Sequence, residues 1–214
     1  TYQIIDAMAG YSQDTFGDAP YFHIGSDEVV RSCWAQDETV KKFMESKEAK
    51  EQGILSMDDL YGYFQKRVEE IARKYNRTMI AWEELALNVK TDLYQYPTED
   101  AIVQVWQLSK TLNDSTALGY KSIMSAGFYL DKQKPDPTSK ERWLWGDTWE
   151  DMYANEPHKF VSEPKAQELI LGVEACMWGE QVTQLNIEDR IWPRVSAVSE
   201  RGWSEQSVNN ADEA

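Results

Sequence analysis

Apolar positions along the chain fall into two patterns, short continuous runs and sets spaced at helical intervals. Residues 21–25 (YFHIG) form an apolar run ended by glycine. Residues 78–82, 101–106, 121–126 and the centre of 169–178 are further runs of the kind that make strands covered on both faces. Between them the spacing predicts helices. Val40, Phe43 and Met44 mark one over 39–49. A stronger one opens at Ser56, whose hydroxyl can cap the first turn. There Asp58 and Asp59 favour the positive helix end, and Leu60, Phe64, Val68, Ile71 and Tyr75 make one apolar face. Residues 109–118 read as a short helix closed by Gly119, and 187–203 as a helix interrupted near its start by Pro193. Ahead of the first strand, Tyr2, Ile4, Ile5 and Met8 are amphipathic. Residues 131–164 form a long irregular segment that holds Trp143, Trp145 and Trp149, too aromatic for a solvated linker.

Strands alternating with helices predict α/β architecture built from parallel β/α units. Five strands fit an open sheet, and they fit equally a part of a (β/α)8 barrel, which needs eight strands and about 250 residues. Where the polar residues stand favours the barrel. Each run ends in groups that a buried strand does not need: Ser26, Asp27 and Glu28; Trp82, Glu83 and Glu84; Trp106 and Gln107; Tyr129 and Asp131; Trp178, Gly179 and Glu180. Barrel active sites lie at the carboxyl ends of the strands.

Composition narrows the chemistry. With 22 Lys and Arg against 37 Asp and Glu in 214 residues, the formal charge is −15. A chain that acidic lacks the electrostatic footprint of a nucleic-acid binder and is repelled by an anionic membrane face. No apolar stretch is long enough to span a membrane as a helix. Cys33 and Cys176 are the only cysteines and His23 and His158 the only histidines, so neither a disulfide framework nor a metal-ligand spacing is legible. No cofactor and no metal are expected. Nine Trp, eleven Tyr and six Phe are the unusual counts, and they supply flat faces for stacking as well as core. Carboxylates ringed by aromatics suit glycosides, whose rings offer apolar faces and hydroxyls. A carboxylic acid can protonate a leaving oxygen there if a like charge or an apolar wall raises its pKa. Neighbours on a regular strand point to opposite faces, so Asp27 and Glu28 can share a site only where the pleat is already lost.

The run His23-Ile24-Gly25-Ser26-Asp27-Glu28-Val29 resembles the H-x-G-G-D-E-V signature of family 20 glycoside hydrolases, the β-N-acetylhexosaminidases. The likeness continues through Cys33-Trp34, Ala81-Trp82-Glu83-Glu84, Val103-Gln104-Val105-Trp106, Phe128-Tyr129-Leu130-Asp131 and Trp149 with Glu156-Pro157. Its most specific stretch is Gly172-Val173-Glu174-Ala175-Cys176-Met177-Trp178-Gly179-Glu180. Arg190-Ile191-Trp192-Pro193-Arg194 and Ser199-Glu200-Arg201-Gly202-Trp203-Ser204 follow in family order.

The resemblance implies an exo-acting enzyme that removes terminal N-acetyl-β-D-hexosamine by a retaining, substrate-assisted mechanism with an oxazolinium intermediate. It implies Glu28 as general acid and then base, Asp27 as orienting and stabilising the acetamido group, and Tyr129 as donor to the acetamido carbonyl. Trp82, Trp106, Trp149 and Trp178 would wall the sugar pocket, and Asp131 and Glu180 would bind the distal hydroxyls. Partners would be glycans ending in N-acetylglucosamine or N-acetylgalactosamine, or chitooligosaccharides. Association of two copies is left open, as are the linkage and the choice of hexosamine. Family members work in lysosomes, in the periplasm and outside cells, which points to export rather than the cytosol.

Two departures stand out. Ser26 replaces the second signature glycine, and serine is costly there if φ is positive. The family's barrel also has strands and a substrate-binding Arg ahead of the Asp-Glu pair, whereas this chain begins one helix before it. Residues 1–214 therefore read as the C-terminal portion of the catalytic barrel, about its last five strands with their helices, and by itself inactive. The alternative reading is a catalytically silent carbohydrate-binding relative. His23 reads as a hydrogen-bonded core residue, and Cys176 as a small buried apolar group.

Overall fold

A computed structural model of the chain describes residues 2–17, 19–132 and 146–212. The chain divides into two compact units, residues 1–103 and 104–214, with strand β3 running across the boundary.

The first unit contains α1 (Tyr2–Phe16), β1 (Tyr21–His23), α2 (Arg31–Gln36), α3 (Glu38–Glu45), α4 (Lys47–Glu51), α5 (Met57–Lys74), β2 (Thr78–Trp82), α6 (Glu83–Leu87) and the start of β3 (Ala101–Val105). Strands β1 and β2 are parallel, with Tyr21 opposite Thr78 and His23 opposite Ile80. Helix α5 starts where its sequence directs. Ser56 Oγ accepts from the Asp59 N–H at 3.1 Å while the Asp59 carboxylate accepts from the Ser56 N–H at 2.9 Å, a reciprocal box that satisfies two orphan donors. Its deepest stripe is Tyr61, Gln65, Val68 and Ala72, so of the predicted face only Val68 lies fully inside. Phe64 and Tyr75 flank that stripe because α1 covers them. The rings of Tyr2 and Phe64 stand 5.7 Å apart, and Tyr75 Oη donates to the Asp6 carbonyl.

The predicted helix over 39–49 is two helices. Asp37 caps α3 and Ser46 caps α4, each accepting backbone N–H bonds that restart the ladder. Tyr96 donates to the carbonyls of Met79 and Ile102 at 3.2 and 3.0 Å, tying β2 to β3 from within the loop that joins them.

The second unit holds the end of β3, α7 (Thr111–Ala117), β4 (Lys121–Met124), α8 (Trp149–Tyr153), a 3-10 turn (Pro157–Phe160), α9 (Pro164–Gln167), β5 (Ile170–Val173), α10 (Ile187–Ile191) and α11 (Arg194–Trp203). Strands β4 and β5 are parallel, with a bulge that puts Ser122 opposite Ile170 and Ile123 opposite Gly172. Gly172 has φ +149°, which explains glycine at the bulge. Within each unit the strands follow sequence order across the sheet. The predicted helix over 187–203 divides at Pro193, whose ring cannot continue the ladder, into α10 and α11.

Residues 146–164 of the irregular segment fall within the described part. Thr148 and Asp151 form a second capping box at the start of α8, which packs on α11. Buried Arg201 on α11 pairs with Glu156 at 2.8 Å, and Glu156 also holds His158 Nδ1 at 2.7 Å. Trp143 and Trp145 lie outside the described residues. Among the described residues no helix is long and apolar enough to cross a membrane.

Candidate active site

Asp27 and Glu28 follow β1, where the backbone leaves the strand abruptly. Gly25, Ser26 and Glu28 have φ of +69°, +85° and +49°. Three left-handed residues in four destroy the pleat, which removes the geometric objection to adjacent carboxylates serving one site. The turn is tied to β2 by backbone bonds: Ile24 N–H to the Ile80 carbonyl at 2.8 Å and Trp82 N–H to the Gly25 carbonyl at 3.0 Å. The carboxylate pair therefore stands at the same strand end as Trp82, which is only 7% exposed. Asp27 is half-buried and Glu28 exposed. His23 lies alongside, its ring 5.1 Å from that of Trp82 and its Nδ1 accepting the Gly25 N–H at 3.0 Å. It is solvent-exposed, not a core residue, because β1 is only three residues long and the chain turns away after it.

Ser26 sits where glycine would be relaxed. A left-handed non-glycine residue costs about 1–2 kcal/mol, and glycine's extra unfolded-state freedom offsets part of the gain from replacing it. Ser26→Gly should therefore raise the unfolding free energy by about 0.5–1 kcal/mol, read from denaturant midpoints at unchanged m. A fall in the midpoint would mean that the serine side chain holds the turn.

The second unit carries the rest of the predicted set. Trp106 follows β3, Tyr129 and Asp131 follow β4, and Trp178 and Glu180 follow β5. Tyr129 is the best-fixed of these. Its backbone forms a parallel bridge with Cys176, flanked by Leu130 N–H to the Cys176 carbonyl at 2.7 Å and Cys176 N–H to the Phe128 carbonyl at 3.0 Å. Its ring stands 6.3 Å from that of Trp106 and takes the Lys132 ammonium 4.2 Å over its face. Burial, with Cys176 behind it, pushes the Tyr129 hydroxyl far above the usual phenol range, against the opposing pull of a Trp178 hydrogen bond. The hydroxyl therefore stays a proton donor at any working pH.

Among the described residues, the buried Asp131 Oδ1 meets no hydrogen-bond partner, a state compatible with an acceptor that a ligand satisfies. Trp178 is 44% exposed and Glu180 is exposed. Trp149 opens α8 rather than following a strand and is half-buried.

Sequence reasoning missed the residues that hold this segment. Arg190 Nη1 donates to the Asp131 carbonyl and Arg194 Nη2 to the Leu130 carbonyl, both at 2.5 Å. Both arginines belong to the Arg-Ile-Trp-Pro-Arg motif that carried part of the resemblance, and that motif was the signal. Burial, then the neighbouring Arg190, holds the Arg194 guanidinium below its ordinary pKa.

Behind Tyr129, Gln104 Nε2 donates to Ser125 Oγ at 2.8 Å and to Glu174 Oε1 at 2.9 Å. Cys176 is buried as expected, and burial pushes its thiol up to about 11 from 9.0. A raised folded-state pKa stabilises the protein fully below the unfolded value and loses that stabilisation as pH climbs through the folded one. Unfolding free energy should fall between about pH 9 and 11, and Cys176→Ala should flatten that stretch of the profile. An unchanged slope in the alanine variant would rule out the thiol as its source.

Parallel strands with helices between them, and acids and aromatics following the strands' carboxyl ends, define a protein of the α/β class. The comparisons place it within that class: residues 1–206 match the family described as "Glycosyl hydrolase family 20, catalytic domain", and the chain belongs to that family. It is 38% identical over 211 residues to beta-hexosaminidase subunit A2 of Dictyostelium discoideum, a match that covers 98% of this chain and 36% of that protein. The structure of Flavobacterium johnsoniae chitobiase is 25% identical with a TM-score of 0.73, over 99% of this chain and 30% of the other. A family 20 exo-β-N-acetylglucosaminidase from Vibrio harveyi, solved in complex with N-acetylglucosamine, superposes at a TM-score of 0.80 with 23% identity. That match covers 99% of this chain and 32% of the other, and shows the fold. The fold is that of part of an α/β barrel, and the chain spans about a third of the length of the relatives it matches.

Proposed function

We propose that these residues belong to an exo-acting β-N-acetylhexosaminidase, and that residues 1–214 are the C-terminal portion of its catalytic barrel, the first strands and a substrate-binding Arg coming from earlier chain. The observation that carries the proposal is the Asp27-Glu28 pair on a left-handed turn at the end of β1, tied to Trp82. Family membership and the names of the relatives support it.

In this reading the substrate's 2-acetamido oxygen attacks the anomeric carbon as the glycosidic bond breaks, and Glu28 passes its proton to the leaving oxygen. The oxazolinium that forms carries positive charge, which ionised Asp27 stabilises while accepting from the acetamido N–H. Tyr129 donates to the acetamido carbonyl oxygen. Glu28, now a carboxylate, takes a proton from water as that water opens the ring, and the β configuration returns. Trp82, Trp106, Trp149 and Trp178 offer apolar faces to the sugar, and Asp131 and Glu180 accept from its outer hydroxyls. Asp131 Oδ1, buried and without a partner among the described residues, supports that last assignment. The substrate class is a glycan or chitooligosaccharide ending in N-acetylglucosamine or N-acetylgalactosamine.

The deciding experiment is release of 4-nitrophenol from its N-acetyl-β-glucosaminide and galactosaminide by the full-length protein, beside the 214-residue chain. Turnover by the full-length protein alone supports both parts of the proposal. A folded full-length protein that binds N-acetylglucosamine without turnover is a silent carbohydrate-binding relative, and turnover by the short chain removes the need for earlier strands.

A further inference from the structure

The left-handed turn under Asp27 and Glu28 is held from below by one side chain of α5. Tyr61 is 1% exposed, and its hydroxyl donates to the Ser26 carbonyl at 2.7 Å, thirty-five positions away in sequence. Ser26 is the residue with φ +85°, so the bond falls on the most strained peptide of the turn. The tyrosine has little freedom of its own. Arg31 lies 5.0 Å over its ring and pairs with Asp58 at 2.6 Å, which locks that guanidinium to the first turn of α5, and the ring of Trp34 stands 6.2 Å away.

We propose that Tyr61 is a positioning residue for the Asp27–Glu28 pair, anchoring the Ser26 carbonyl so that a serine can occupy a left-handed position without letting the carboxylates drift. The inference rests on the catalytic reading of Asp27 and Glu28. Burial pushes the phenol up to about 12, so the O–H is present across any assay range. Without it, Ser26 is free to relax toward negative φ, a rotation that swings the two residues after it. Misplacing a reacting group by about an ångström costs about a hundredfold in rate.

The test is Tyr61→Phe in the full-length protein, which keeps the ring, its packing and the Arg31 contact and removes the hydroxyl with its bonds to Ser26 and to Gln65 on its own helix. Expected are a fall in kcat of about ten- to a hundredfold with KM within about twofold, and amide hydrogen exchange over residues 26–30 about tenfold faster with α5 unchanged. Adding Ser26→Gly, which removes the strain, should return part of the lost kcat. A purely structural tyrosine would instead show exchange spread over α5 and no recovery with the glycine, and either result overturns the proposal. So does an unchanged kcat. If the wild-type protein is inactive, the catalytic reading fails by itself, and exchange at 26–30 alone decides whether Tyr61 anchors the turn.

Discussion

Glu28→Gln is expected to lower the rate on chitobiose by about 10²–10⁴-fold, the range of positioned general acid catalysis. The glutamine is isosteric, and Glu28 is exposed at a turn held by backbone bonds, so the fold should be untouched. The loss should be smaller on the 4-nitrophenyl glycoside. A nitrophenolate departs without a proton, whereas a sugar alkoxide cannot. The contrast between the two substrates separates the acid role from the later base role, which both substrates share. Equal losses on both would mean that Glu28 does not protonate the leaving oxygen. No loss on either would move the acid to another residue.

Tyr129→Phe is the second large expectation, a fall in kcat of about a hundredfold, the cost of losing the contact that aims the attacking oxygen by about an ångström. The ring contacts with Trp106 and Lys132 survive the change, so Tm should move little. KM should rise only modestly, since the hydrogen bond mainly aims the carbonyl oxygen at the anomeric carbon and is one of many contacts to the bound sugar. A raised KM at unchanged kcat would make Tyr129 a wall of the pocket instead of a participant.

Much of the fold was legible in the chain. The runs at 21–25, 78–82, 101–106, 121–126 and 169–178 each contain a strand, because a parallel strand covered on both faces has to be apolar at successive positions. Strand ends were less legible. Each of these strands except β2 stops before its apolar run does, since residues such as Ser125 and Cys176 continue the hydrogen bonding as irregular bridges. The helix over 187–203 divides at Pro193 and the one over 39–49 at Ser46, both residues that punctuate a helix from within its own sequence. On α5 the deepest stripe shares Val68 with the predicted face and otherwise runs one position further on, because the helix is covered by the sheet on one side and by α1 on another, and periodicity alone does not know of the second cover.

What the sequence determined by itself is the identity of the groups at the strand ends and the box that starts α5. Those follow from local rules: a covered strand releases its polar residues where it ends, and a serine three residues before an acid opens a helix. The tertiary structure decided the sign of φ at Ser26, the burial of Tyr129, and the anchors of both segments, namely Tyr61 under Ser26 and Arg190 and Arg194 under Asp131 and Leu130. Those partners lie 35, 59 and 64 positions away. No local pattern encodes which distant donor a strained carbonyl meets. That depends on how helices pack beside the strands, and only the assembled fold brings them together.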